Sequence, residues 1–189
     1  MTGLRVPAGN SATIRTALFD YRKAFDLINH SILIRKLCML DVPNSIVHWI
    51  IDFLSNRSQR IKLGDGYVSE WECVPSGVPQ GTKLGPWLFL IMINDHVVES
   101  ARLWKYVDDT TISKTVAKGE LSNVQSATDR VVQWSLENRV HLNTDDCKEM
   151  RISFTKSQRE FVPILINGDA LEVVDSVKFL GLNIMFPVI

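Results

Sequence analysis

The chain reads as α+β: an antiparallel sheet with helices packed mainly on one face. Three observations predict this. β-prone runs occur near the start, middle and end of the sequence, at 13–19, 103–113 and 151–182. Apolar residues at helical spacing fill two stretches between them, 32–54 and 121–136. The elements also come in mixed order, without the regular strand–helix alternation of a parallel sheet.

Residues 1–17 form a loose lead-in, richest in Gly, Pro, Asn and Ser before residue 13, and residues 18–189 form one domain. The β-prone run from Thr13 to Phe19 crosses that boundary and ends at Asp20. Asn29-His30-Ser31 offers capping chemistry ahead of Ile32, Leu33, Leu37 and Leu40, which predicts a helix. Asp41 to Asn44 breaks it, and a second helix follows over Ser45 to Leu54. Gln59 to Leu63 alternates polar and apolar residues, as a half-buried strand does, with Tyr67 to Val74 as its partner across Gly64-Asp65-Gly66. Leu84 to about Val98 is apolar on nearly every face and predicts an interior helix. Leu121, Val124, Thr128, Val131, Val132 and Leu136 mark an amphipathic helix. Arg151–Phe154, Val162–Ile166, Asp169–Val174 and Val177–Leu182 read as strands, with Asn167-Gly168 as a two-residue hairpin turn.

The length of 189 residues suits one domain, and 46% apolar residues suffice for a core. Lys+Arg and Asp+Glu both number 21, so the net charge is zero; this counts mildly against strong stand-alone nucleic-acid binding. Cys38, Cys73 and Cys147 are odd in number and far apart, with no metal-type spacing, which points to a reduced intracellular setting, nucleus and cytoplasm being indistinguishable. The longest apolar run, Trp87 to Ile93, is too short for a bilayer, and the first 17 residues lack a signal-type apolar segment.

Asp108 and Asp109 carry the most chemical information. Strand side chains alternate faces, so two neighbouring carboxylates cannot both enter a core. A tight turn between Leu103-Trp104-Lys105 and Thr110-Thr111-Ile112-Ser113 accommodates them. Asp20, at the end of its own β-prone run, is the third acid that converges with them if the two strands are neighbours. Three carboxylates at one sheet edge repel one another, and a hard divalent cation relieves this. Asp26 is the alternative ligand, but Asn29 and His30 beside it favour a capping role.

Four segments resemble, in order and spacing, the palm motifs of reverse transcriptases, most closely those of non-LTR (LINE-type) retrotransposons. They are Phe19-Asp20-Tyr21-Arg22-Lys23-Ala24-Phe25-Asp26, Gly77-Val78-Pro79-Gln80-Gly81, Tyr106-Val107-Asp108-Asp109 and Phe179-Leu180-Gly181. Leu84-Gly85-Pro86, Ile93-Asn94-Asp95 and Leu142-Asn143 ahead of Cys147-Lys148 extend the match over residues 18–182. The resemblance implies an RNA-directed DNA polymerase using two Mg²⁺ ions, with Mn²⁺ as the alternative, acting on an RNA template, a DNA primer and dNTPs. It implies Asp20 and Asp108 as principal ligands, Asp109 as a supporting one, and the Tyr21 carbonyl as a further metal and nucleotide contact. Phe25 would lie under the incoming sugar, and Gln80 and Gly81 along the nucleotide. Tyr106, Phe179, Leu180 and Gly181 would meet the primer. Lys148 would act as general acid towards pyrophosphate; a solvated surface lysine is the ordinary alternative.

The chain departs from the family at Lys83, Trp87 and Asp146, where relatives carry an aliphatic residue, leucine and lysine. Fingers and thumb are expected to be largely absent, as in a truncated copy. Two functions therefore compete: a polymerase palm completed by other segments, or a catalytically silent palm remnant serving as a nucleic-acid-binding or scaffold module.

Overall fold

The computed structural model describes residues 12–154, 159–179 and 181–185. The chain divides into two compact units. One comprises Met1–Tyr21, His96–Glu137 and His141–Ile189; the other comprises Arg22–Asp95 with Asn138–Val140.

The first unit is built on a strand, β1 (Thr13–Phe19), rich in β-branched residues and buried along nearly its whole length. Its span means that the lead-in does not extend to residue 17: residues 13–17 lie at the centre of the sheet. The other strands of this sheet are β4 (Arg102–Tyr106), β5 (Asp109–Val116), β6 (Lys148–Ser153) and β9 (Glu172–Val174), in the order β4-β5-β1-β6-β9. Every pairing is antiparallel except β6 with β9, which is parallel. A 15-residue helix, α4 (Val124–Asn138), contributes Val124, Ala127 and Val131 to a core with Ala17, Phe19, Ile112, Cys147 and Ile166. Ala17, Phe19 and Ile112 share one face of the sheet by register, so this is the face that carries the core.

Arg15 shares that face and is 3% exposed. Its Nε donates to Glu149 at 2.7 Å, and Arg151 donates to both Glu149 oxygens at 2.8 and 2.9 Å. Arg15 further donates to Ser122 and the Val162 carbonyl. The guanidinium groups of Arg15, Arg151 and Arg159 lie 4.9, 5.7 and 4.9 Å from the centre of the Phe161 ring. Burial alone would push the Glu149 carboxyl up, but the hydrogen bonds from Arg151 and Arg15 outweigh it and hold the group below its usual range.

Beyond the sheet, β7 (Leu165–Ile166) and β8 (Asp169–Ala170) form the expected hairpin. Asn167 and Gly168, at φ 55° and 95°, have the two positive φ values of a type I′ turn. Pro163, which lacks a backbone donor, lies outside the short strand that replaces the predicted one over 162–166. The last predicted strand, 177–182, is two strands, β10 (Ser176–Phe179) and β11 (Leu182–Met185), paired with each other. Gly181 turns the chain between them at φ 81°.

The second unit holds α1 (His30–Cys38), α2 (Asn44–Leu54) and α3 (Leu84–Ile93). Asn29 caps α1 as predicted, accepting from the Ile32 amide at 3.1 Å. Leu33, Leu37, Leu54, Leu88, Phe89 and Met92 are fully buried. Lys36 is buried too, and its Nζ donates to the Met92 carbonyl at 2.6 Å and pairs with Asp95. Desolvation lowers its pKa against the opposing pull of Asp95.

Two expectations fail in this unit. The apolar helix ends at Ile93 and exposes Trp87 and Leu90, so it is buried on one face, not all round. Lys83 sits at its N-terminal edge, exposed, and bears no desolvation cost. The half-buried hairpin is reduced to β2 (Ser58–Gln59) with β3 (Glu72–Cys73) and one bridge, Lys62 to Val68. Ile61, Leu63 and Tyr67 are 64%, 65% and 74% exposed, because an isolated two-stranded ribbon supplies no second layer.

Removing the Glu149 side chain should cost about 3–5 kcal/mol, because Arg15 is left buried without its counter-charge. The pH dependence follows from the lowered pKa: the stabilisation is present above the usual value of 4.5 and is lost as pH falls through the depressed one. Urea denaturation of wild type and Glu149→Gln should therefore show a stability gap at pH 7 that narrows below pH 4.5.

Candidate active site

The β1–β5 ladder determines where the acids meet. Phe19 pairs with Thr110, the last pair of the ladder, so Asp20 and Asp109 are the next residues outward on the two chains, close enough for the Asp20 charge to act on Asp109. Their parity matches Leu18 and Thr111, which places both on the sheet face opposite the α4 core. Asp109 also pairs with Tyr106 in β4. The connecting turn is therefore Val107-Asp108 alone, and Asp109 is the first residue of β5, not a turn residue. Val107 has φ 54°. A β-branched residue pays for a left-handed conformation with backbone strain of about 1–3 kcal/mol, at the site next to the two acids.

Asp20, Asp108 and Asp109 are all half-buried. The Asp109 pKa is raised, first by desolvation, then by the charges of Asp108 and Asp20. Asp20 is held on one side: Asn143 Nδ2 donates to Asp20 Oδ2 at 3.0 Å and also donates to Asp146. The Asn143 backbone amide donates to the Asp20 carbonyl at 2.8 Å. A cavity of about 200 Å³ opens over these groups, lined by Asp20, Asp109, Thr111, Asp146, Lys148 and Lys178 among others.

Lys148 is thus beside the acids, but its Nζ is taken by Glu172 Oε2 and the Asp145 carbonyl, both at 2.7 Å. The Glu172 hydrogen bond raises its pKa. The Tyr21 side chain turns inward: it is 4% exposed and lies 6.4 Å from the Trp134 ring. Burial pushes its hydroxyl up to about 12. Any nucleotide or metal contact at Tyr21 therefore falls to its backbone, which bridges to Leu142. Tyr106 is exposed and shares the face of Asp109. Phe179 and Gly181 flank the β10–β11 turn, while Leu180 and the side chain of Phe179 lie outside the described residues.

Phe25, Gln80 and Gly81 belong to the second unit. Phe25 stacks on Phe89 with ring centres 4.8 Å apart. Its carbonyl accepts from Val78 at 2.8 Å, tying the two motif loops together. Gln80 Nε2 donates to Asp26 Oδ1 at 2.8 Å, so Asp26 orients Gln80. Gly77 is required here: a Cβ would lie 2.5 Å from the Asp26 carbonyl oxygen, at φ 82°. Gly81, at φ 76°, has open space around it. A polar cavity of about 560 Å³ adjoins this loop, lined by Lys23, Asp26, Arg57, Gln59 and Gln80 among others.

The donor chemistry at the sheet edge fits a hard divalent cation. Oxygen ligands predominate, and a cation would offset both the desolvation of Asp109 and the repulsion from Asp108 and Asp20 that add to it. Among the described residues no group of three or more His, Cys, Asp and Glu side chains is arranged to hold a metal ion by itself.

The model of the family "Reverse transcriptase (RNA-dependent DNA polymerase)" matches residues 10–184. The chain belongs to the reverse transcriptase family. This reverse transcriptase region is 27% identical over 180 residues to the RNA-directed DNA polymerase from mobile element jockey of Drosophila melanogaster. The match covers 89% of this chain and 19% of that protein. It is 32% identical over 83 residues to the Pol polyprotein from the type-1 retrotransposable element R2 of Popillia japonica, covering 44% and 12%. These relatives support the resemblance to reverse transcriptases of the non-LTR type, and the chain spans about a fifth of the length of the jockey protein. Among solved structures, apo telomerase from Candida tropicalis superposes with a TM-score of 0.59 at 14% identity, over 92% of this chain and 34% of that one. Telomerase from Candida albicans with a fragment of telomeric RNA gives 0.58 at 13%, over 93% and 29%. At these identities the likeness is one of fold.

Asn143, Glu172 and Lys178 had no assigned role in the sequence. Leu142-Asn143 stood out only as a motif match, because its reach to Asp20 depends on the Tyr21–Leu142 bridge.

Two outcomes follow from this geometry. Val107→Gly should raise stability by about 1 kcal/mol, the relieved strain exceeding the added chain entropy, as read by urea denaturation. Asp109→Asn should melt higher than wild type at neutral pH. A raised carboxyl favours its neutral form, so the wild-type penalty fades as pH falls through the raised value. The two melting curves should coincide below the ordinary 3.8.

Proposed function

We propose that this domain is the palm of an RNA-directed DNA polymerase, extending a DNA primer on an RNA template with dNTPs. The observation that carries this is the pair Asp20 and Asp109 at the end of the β1–β5 ladder, with Asp108 in the adjoining turn. Asp20 and Asp108 serve as principal ligands for two Mg²⁺ ions, with Mn²⁺ as a substitute, and Asp109 and the Tyr21 carbonyl support them. Bound divalent cations supply Lewis-acid activation of the primer hydroxyl and neutralise phosphate charge. The chain's own residues position the reactants, which is most of what phosphoryl transfer asks of a protein.

Phe25, held by its stack on Phe89, is suited to lie under the sugar of the incoming nucleotide. Gln80, oriented by Asp26, and Gly81, with no side chain and open surroundings, are suited to line the nucleotide. Tyr106 and the Phe179–Gly181 turn take the primer strand. Lys148 serves as the proton donor to pyrophosphate once its amine leaves Glu172; the raised pKa keeps it protonated until then.

Primer extension on an RNA template with Mg²⁺ and dNTPs tests the proposal. Asp20→Ala and Asp108→Ala should each lower the rate by about 10²–10⁴-fold, the kinetic equivalent of several kcal/mol of lost charge stabilisation. Template binding should persist. A wild-type protein that binds RNA yet incorporates nothing would instead identify a silent binding module.

A further inference from the structure

The Asn143 side chain has two amide hydrogens, and both are spent on carboxylates. One goes to Asp20 Oδ2 at 3.0 Å and the other to Asp146. The amide is itself anchored. Its backbone N–H donates to the Asp20 carbonyl, the Asp146 and Cys147 amides donate back to the Asn143 carbonyl, and Leu142 bridges to Tyr21. Asp20 thus has one oxygen committed to a protein donor and one, Oδ1, that no hydrogen bond among the described residues engages.

A carboxylate oxygen that accepts a hydrogen bond keeps a lone pair, but a cation held by both oxygens must then compete with the donor, so the unengaged oxygen is the favoured ligand. Mg²⁺ is octahedral, small and content with single oxygens; Ca²⁺ is larger and takes both oxygens of a carboxylate readily. Partners that engage a ligand's remaining acceptor sites orient it, and losing them typically costs 10–100-fold in metal affinity or activity. We infer that Asn143 is a positioning residue that biases Asp20 towards single-oxygen coordination and thereby tunes the site towards Mg²⁺ over Ca²⁺. This rests on the metal-binding reading of Asp20. Asp146, bound to the same amide and lining the same cavity, stands where the resemblance places a lysine; it keeps the amide from rotating away from Asp20.

The test is calorimetric titration of the whole protein with Mg²⁺ and, separately, Ca²⁺, for wild type, Asp20→Ala, Asn143→Leu and Asn143→Ser. Thermal melting without metal verifies that each variant folds, and Asn143→Ser guards against a leucine that packs badly. Asn143→Leu should weaken Mg²⁺ about tenfold while leaving or strengthening Ca²⁺, inverting the preference. Asn143→Ser, which keeps one donor, should fall between. In primer extension the loss should appear in kcat and in the Mg²⁺ requirement, with the KM for dNTP unchanged. An unchanged Mg²⁺ to Ca²⁺ ratio in folded Asn143→Leu and Asn143→Ser overturns the inference alone. Metal binding that Asp20→Ala leaves untouched overturns the metal reading of Asp20 and the inference together.

Discussion

The antiparallel ladder between β1 and β5 is the constraint on which the site depends. Its register brings Asp20 and Asp109 to the same end, one step past the last pair, and like charges brought together there are unfavourable. The fold tolerates the cost because the central strand is secured along the rest of its length. Seven residues pair with β5 on one side and six with β6 on the other. The core face adds Ala17 and Phe19 against α4. Stability gained in the middle of the sheet thus supports electrostatic stress at its end.

That stress is local and has two forms. One is charge: three half-buried carboxylates, one with its proton affinity raised first by desolvation and then by the other two. The other is backbone: a valine at positive φ between the strands that carry them. Both oppose stability, and both lie at the acids proposed above to hold the cations. Local rules broken at one place in an otherwise consistent fold mark function more reliably than any single motif.

Much of this was legible in the sequence. The α+β class, the Asn29 cap, the Asn167-Gly168 turn and the strands around Asp108 all rest on local chemistry, which sequence carries directly. Elements whose fate depends on what lies beside them were misjudged. Ile61 and Leu63 alternate like a half-buried strand but have no layer to bury them, and Leu90 reads as interior yet faces outward. The convergence of Asp20 with Asp108 and Asp109 depended on their two strands being neighbours, and it needed the ladder to become a statement about faces. Asn143 and Glu172 were invisible as partners because their bonds to Asp20 and Lys148 join strands and loops distant in sequence.

The buried Arg15–Glu149–Arg151 cluster has a bearing on how the chain tolerates change. Arg15 and Asp20 lie on one strand but on opposite faces, five residues apart. Loss of a single codon between them would reverse their relation. Any register that kept Asp20 over the cavity would expel Arg15 from its pocket and leave Glu149 sealed in the core, whereas any register that kept Arg15 would turn Asp20 into the apolar layer. The spacing of β1 therefore resists in-frame deletion much as its side chains resist substitution, and one ion cluster far from the acids preserves their aim.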